Sequence, residues 1–252
     1  MKKILSLCLI LIIIVGLLSA CQEAKNNTEN NQQFSKIKVT QEPESYDLKY
    51  LCGLFGENYD SYQEALDEMV NRYNQTHDNE DLFRICMAVS YGDYIENSDE
   101  LIIQYYYQFF ETIWTDQDFR KEKSEYEEGM AGTLISRLYL NGYREKSLEF
   151  YDKYISFLTD KNLIISFTIS YTSFYKDDEE PDNALVVAMY ERVKILEKNY
   201  CNDEDIYDMH KIAILAIIAD YADILNDTTT AKTYREKTRQ LIQKLENEAS
   251  DE

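Results

Sequence analysis

The sequence predicts an all-α protein of stacked antiparallel helix pairs, about five hairpins in all. Prolines and glycines are scarce, two and seven in 252 residues, so little in the chain breaks a helix. From about residue 45 onward apolar residues recur at spacings of three and four, the period of one helix face, and no run alternates between paired turn signals as strands do. Short polar turns recur roughly every forty residues, the interval of αα-hairpin arrays. A non-repetitive helical bundle is the alternative arrangement.

The chain opens MKKILSLCLILIIIVGLLSA: Lys2 and Lys3, an apolar stretch from residue 4 to 18, then Ser19 and Ala20 before Cys21. This is the order of a secretory signal, and the apolar stretch falls short of the ~20 residues that span a bilayer. Leu18-Ser19-Ala20-Cys21 resembles the bacterial lipobox. The resemblance implies diacylglyceryl transfer to the Cys21 thiol, cleavage before it and further acylation of the new amino terminus. More than one chain matters, because a single acyl chain anchors only weakly. Residues 1–20 are therefore expected to be a signal peptide, and the mature protein to sit lipid-anchored on the bacterial cell membrane, outside the cytoplasm.

Residues 21–43 follow as a tether rich in Asn, Gln, Glu and Lys, with a composition that favours disorder. Its flexible reach is roughly 25 Å. The helical domain is expected over residues 44–248. Over 58–75 the apolar face is Tyr62, Ala65, Leu66, Met69, Val70 and Tyr73. Over 98–115 it is Ile102, Tyr106, Phe109 and Ile113, widened by Tyr105 and Phe110. Further helices are predicted over Glu145–Leu158, Asn183–Leu196, Ile206–Leu225 and Ala231–Leu245. Asp78 or Asn79, Ser98 and Asp203 are the expected N-caps, and Pro181 suits a first helical turn. The turns are expected near Glu57–Asp60, Glu96–Asp99, Asn141–Tyr143, Lys176–Glu180 and Asn226–Thr229.

Three units carry a further likeness. The best is Leu134, Leu138, Gly142, Ser147, Leu148 and Tyr151; the others are Gly53, Tyr62, Ala65 and Leu66, and Ile218, Ala219 and Ala231. They resemble the tetratricopeptide repeat, in which small residues let two helix backbones approach closely. Ile135 departs from the pattern at a place where that family prefers Gly or Ala, and the closing proline is absent. The resemblance implies a solenoid whose concave face is lined by the first helix of each hairpin. By matched positions Ser136, Tyr139, Ser173, Asp220 and Asp223 would point there, into a groove for a protein or peptide of the cell envelope.

Composition narrows the function. The net charge is −21, and removal of Lys2 and Lys3, with no acid beside them, makes it −23. Such a surface repels phosphate backbones and anionic lipid, so nucleic acid is not an expected partner and membrane contact should come from the lipid on Cys21. No GxSxG, GKS or GKT, GxGxxG or HExxH motif is present, so no enzyme activity and no cofactor are implied. His77, in a polar turn, reads as a solvated residue. Cys201 and His210 supply two of the three or four ligands a zinc site needs. The runs 177–180 and 203–205 are acidic helix starts without EF-hand spacing, and no metal site is expected. With Cys8 in the signal and Cys21 acylated, Cys52, Cys86 and Cys201 remain, enough for at most one disulfide; Cys86 reads as a core residue, and a Cys52–Cys86 bridge is the alternative to a free thiol there. The compositional excess is aromatic, 22 Tyr and 10 Phe, densest from Tyr105 to Trp114. Such a run either lines a groove for peptide or glycan, making the protein a small-ligand receptor, or bridges helix layers in a stack without a thick core.

Overall fold

The computed structural model describes residues 36–44, 59–176 and 182–250. Within them the regular structure is helical: α1 Tyr62–Thr76, α2 Asn79–Val89, a 3-10 turn Gly92–Tyr94, α3 Ser98–Thr115, α4 Gln117–Glu122, α5 Ser124–Leu140, α6 Arg144–Phe157, α7 Lys161–Lys176, α8 Asn183–Tyr200, α9 Asp208–Ile224 and α10 Thr228–Ser250. No strand occurs among the described residues. The chain divides into two compact units, the first ending at Asp81 and the second starting at Leu82.

In the first unit, α1 buries Tyr62, Ala65, Leu66, Met69, Val70 and Tyr73, the face its spacing predicts. Ser61 caps it, accepting from the Glu64 amide at 3.1 Å. Residues 36–44 lie against this helix, although composition places most of them in the tether. Gln63 is the cause: its side chain accepts from the Val39 amide at 2.8 Å and donates to the Ile37 carbonyl at 2.7 Å. Glu42 accepts from the Tyr62 amide at 2.8 Å, and Ile37 is buried. Two backbone bonds and one aliphatic side chain outweigh a polar composition. Residues 22–35, Cys21 and the signal lie outside the described residues. At the far end His77 takes a left-handed conformation, φ 52°, and closes α1. Asp78 then caps α2, accepting from Glu80 and Asp81 at 2.8 and 3.2 Å.

The second unit begins in α2. Cys86 there is a free, buried thiol donating to the Tyr105 carbonyl at 3.4 Å, so the bridge to Cys52 considered above is not formed. Helix α3 spans the range its pattern predicts, but Ser98 is its first residue and not its cap. Asn97, at φ 55°, holds the cap position without a side-chain bond. Asp203 also departs from expectation. Helix α9 starts only at Asp208, and Asp203 instead accepts from the Asp205 amide at 3.0 Å and from Lys161 at 2.6 Å. Pro181 lies outside the described residues; Asp182 caps α8 through the Ala184 amide at 2.8 Å.

Two turns share one geometry. After α5, Gly142 has φ 82°; its amide bonds to the Tyr139 carbonyl at 3.1 Å, and the Tyr143 amide to the Leu138 carbonyl at 2.8 Å. After α9, Asn226 has φ 62°; its amide bonds to Asp223 at 2.9 Å, and that of Asp227 to Ala222 at 2.7 Å. Both are Schellman closures, which require the left-handed residue that Gly and Asn tolerate best. Five residues beyond each, a small residue lies at the helix crossing. Ser147 is fully buried and donates to the Ile135 carbonyl at 3.1 Å, and Ala231 is fully buried.

Contacts pair α5 with α6, α7 with α8, α8 with α9 and α9 with α10, and then join α3 to α5, α5 to α7, α7 to α9, and α6 to α8. Side-chain bonds between these layers link residues 37 to 49 apart: Tyr234–Glu197, Arg192–Asp152, Lys161–Asp203, His210–Asn162 and Tyr221–Thr172. Beneath α5, Arg120 makes two bonds to Glu127, at 3.0 and 2.8 Å, and covers the Phe157 ring at 5.6 Å. Both side chains are largely buried, 18% and 8% exposed.

Removing one partner of such a pair leaves an unanswered charge. Glu127→Gln should lower stability to urea by about 3 kcal/mol, and Arg120→Met with Glu127→Leu should recover most of that loss. Equal losses in the single and double variants would contradict this reading of the pair.

Candidate binding groove

One depression in the second unit is built from separate elements. Glu100, Ile103, Gln104 and Tyr107 stand at i, i+3, i+4 and i+7 on α3, which places them in one stripe. Leu138 comes from the last turn of α5, Tyr143 from the Gly142 turn, and Lys146 from the first turn of α6. The enclosed volume is about 280 Å³, enough for one large side chain but short of a drug-sized pocket. Leu138 is buried, whereas Tyr143 is 48% exposed at the rim.

The walls are held in place. Asp99, beside Glu100, pairs with Arg137 at 2.8 Å and accepts from Asn141 at 3.2 Å, tying the start of α3 to the end of α5. The Schellman closure then aims Tyr143 back toward α3. Tyr107 meets the Phe150 ring edge-on at 5.6 Å, and Lys146 lies 5.2 Å from the Tyr143 ring centroid. Burial, and after it the charges of Glu149 and Glu111, push the Tyr107 phenol from 10.0 up to about 12. The groove thus combines an apolar floor, two aromatic walls and a rim with one acid and one base, Glu100 and Lys146.

The residues expected on a concave face lie on α5, α7 and α9, with α7 packing against the other two. The Ser136 hydroxyl bonds to the Gly132 carbonyl at 2.9 Å, and the Ser173 hydroxyl to Ser170 at 2.7 Å, so both turn back onto their own helices. Tyr139 and Asp223 hold the same position of the two Schellman turns. Each meets an arginine from the second helix of its hairpin: Arg144 lies 5.1 Å from the buried Tyr139 ring, and Arg235 pairs with Asp223, which stays exposed. Asp220 is half-buried on α9.

The aromatic run behaves mostly as core. Tyr105, Tyr106, Phe109 and Phe110 are buried, and the Trp114 face is occupied by Lys153, 3.7 Å from the ring centroid. Only Tyr107 of this run lines the groove. Glu100, Ile103, Gln104, Tyr143 and Lys146 were not singled out from the sequence. Their signal was the mixed polar and apolar stripe on α3, opposite a turn glycine.

A second, shallower depression of about 630 Å³ is formed by residues 204–210, with Tyr207 and Met209 66% and 71% exposed. It is the concavity of one continuous segment, the loop before α9 and the first turn of that helix. His210 there shares a bond with Asn162 at 3.1 Å. Among the described residues no group of three or more His, Cys, Asp or Glu is placed to hold a metal ion, and no helix is long and apolar enough to cross a membrane. The run 177–180 lies outside the described residues.

No protein-family profile matches the chain, and neither curated proteins nor solved structures include a match to it.

Tyr107 gives the groove a measurable property. A raised folded pKa favours the neutral phenol, so its contribution is complete below pH 10 and is lost as pH climbs through about 12. Between about pH 9 and 12, urea stability should therefore fall more steeply for wild type than for Tyr107→Phe. Parallel curves would show that Tyr107 titrates like an exposed phenol.

Proposed function

We propose that this chain is a membrane-anchored extracytoplasmic lipoprotein, non-enzymatic, that acts as a protein- or peptide-binding scaffold at the bacterial cell envelope. The observation that carries the binding role is the groove between α3 and the α5–α6 hairpin, with its buried leucine floor, aromatic walls and charged rim. Such a site takes one anchoring side chain of a protein segment and surrounds it with polar contacts, which is how interface hot spots are built. The anchor rests on Leu18-Ser19-Ala20-Cys21 and the apolar run before it.

We read the hairpins of the second unit as a degenerate, tetratricopeptide-like α-solenoid. In support, the first helices α5, α7 and α9 pack in succession, α6 packs on α8, side-chain bonds recur at 37 to 49 residues, and two turns repeat one closure.

The test is a crosslinking pull-down from native membranes with wild type, Cys21→Ser and Tyr143→Ala. Cys21→Ser should leave the membrane fraction. Tyr143→Ala should stay there and recover at least tenfold less partner, about 1.4 kcal/mol in binding. Cys21→Ser fractionating like wild type would contradict the anchor. Undiminished capture by Tyr143→Ala would contradict the groove as the binding site.

A further inference from the structure

The groove's surroundings specify its occupant more closely than its shape does. Tyr107 and Tyr143 offer aromatic faces, and a cation already lies over one of them: Lys146, 5.2 Å from the Tyr143 ring centroid. The lining sets one acid against that lysine. Glu100 lines the groove, and Glu149 and Glu111 both act on the Tyr107 phenol. Asp99 and Glu100 in the first turn of α3 and Glu145 in that of α6 answer the positive ends of those helices. A neutral aliphatic side chain would fill the floor and leave the acids unused. An acidic one would be repelled. A long side chain with an apolar stem and a cationic head uses every part: stem on Ile103 and Leu138, head over tyrosine and beside a carboxylate.

We propose, resting on the binding role above, that the partner of this groove is a basic protein segment that inserts an arginine between Tyr107 and Tyr143, with Glu100 answering its charge. Arginine is preferred to lysine because its planar guanidinium stacks on a ring while still donating to a carboxylate. The chain's charge of −21 assists the approach of such a segment but does not select the groove, which is why the walls matter.

The experiment uses the full chain in detergent and three fluorescein-labelled peptides of one Ala–Gly frame, with Arg-Leu-Arg, Leu-Leu-Leu or Glu-Leu-Glu at the centre. Binding is read by fluorescence polarisation for wild type, Glu100→Gln, Tyr143→Ala, and a control at the distant loop, Glu204→Gln with Asp205→Asn. The arginine peptide should bind wild type at least tenfold more tightly than the leucine peptide. Glu100→Gln and Tyr143→Ala should each lose most of that preference, and the control should keep it. A leucine peptide that binds as tightly, and is lost with Tyr143→Ala, would overturn the basic partner and leave the binding groove standing. Arginine-peptide binding that is unchanged by both groove variants, or reduced equally by the control, would overturn this inference as diffuse attraction to an acidic surface. If no peptide is bound, the inference fails, and the pull-down with Tyr143→Ala decides separately whether the groove binds protein at all.

Discussion

Contact between aromatic rings holds the stack of helices in the second unit together. Phe110 of α3 meets Phe150 of α6 edge-on at 4.9 Å, and Trp114 stacks on Phe157 at 5.3 Å. Tyr154 of α6 then packs on Phe167 of α7 at 4.6 Å, and Phe167 on Tyr171 at 4.5 Å. Large, flat side chains join one packed helix to the next here. Each such pair contributes about 0.5–1.5 kcal/mol beyond the area it buries. Tyrosine suits the task because its hydroxyl can end on a polar partner. Tyr151 shares a 2.6 Å bond with Thr168, and Tyr221 donates to the Thr172 carbonyl at 2.8 Å. Part of the aromatic excess in the composition is this joint.

The groove is a by-product of the same joint. Phe150 supplies both the ring that holds Phe110 and the edge contact that sets Tyr107. On the other side, the Gly142 closure and the Asp99–Arg137 pair fix where Tyr143 and Lys146 stand. Its tyrosines therefore stand on a helix and on a closed turn, and binding would spend little on ordering them. The acidic residues around it serve helix ends and solubility first, and they leave a field that favours a cation. Attachment through lipid at Cys21, as proposed, would confine this face to the envelope without asking the acidic surface to bind a membrane.

Much of this was legible in the sequence because helices write a simple pattern. The faces of α1 and α3 were read residue by residue, and Gly142, Ser147 and Ala231 marked hairpin closures and crossings. Helix α7 was implied by Ser173 but given no bounds, because its serines and threonines interrupt the apolar count; Thr168 and Ser170 bond back to Ile164 and Ser166 within the helix. Ser98 and Asp203 misled as caps because cap preference is local, whereas Asn97 and Lys161 are decided by the turn and by a residue 42 positions away. Residues 36–44 were hidden by their composition, since one glutamine on α1 holds them. The groove was illegible for the same reason. It joins residues from α3 and α6, whose neighbourhood follows from the stacking and from no motif.

The most direct test of this account is amide hydrogen exchange, followed by mass spectrometry, on wild type and Phe150→Ala. If the aromatic joint holds the layers, protection should fall together in α3, α6 and α7, while α9 and α10 keep theirs. Loss confined to α6, with α3 and α7 as protected as in wild type, would show that the layers stand without it and would contradict the account.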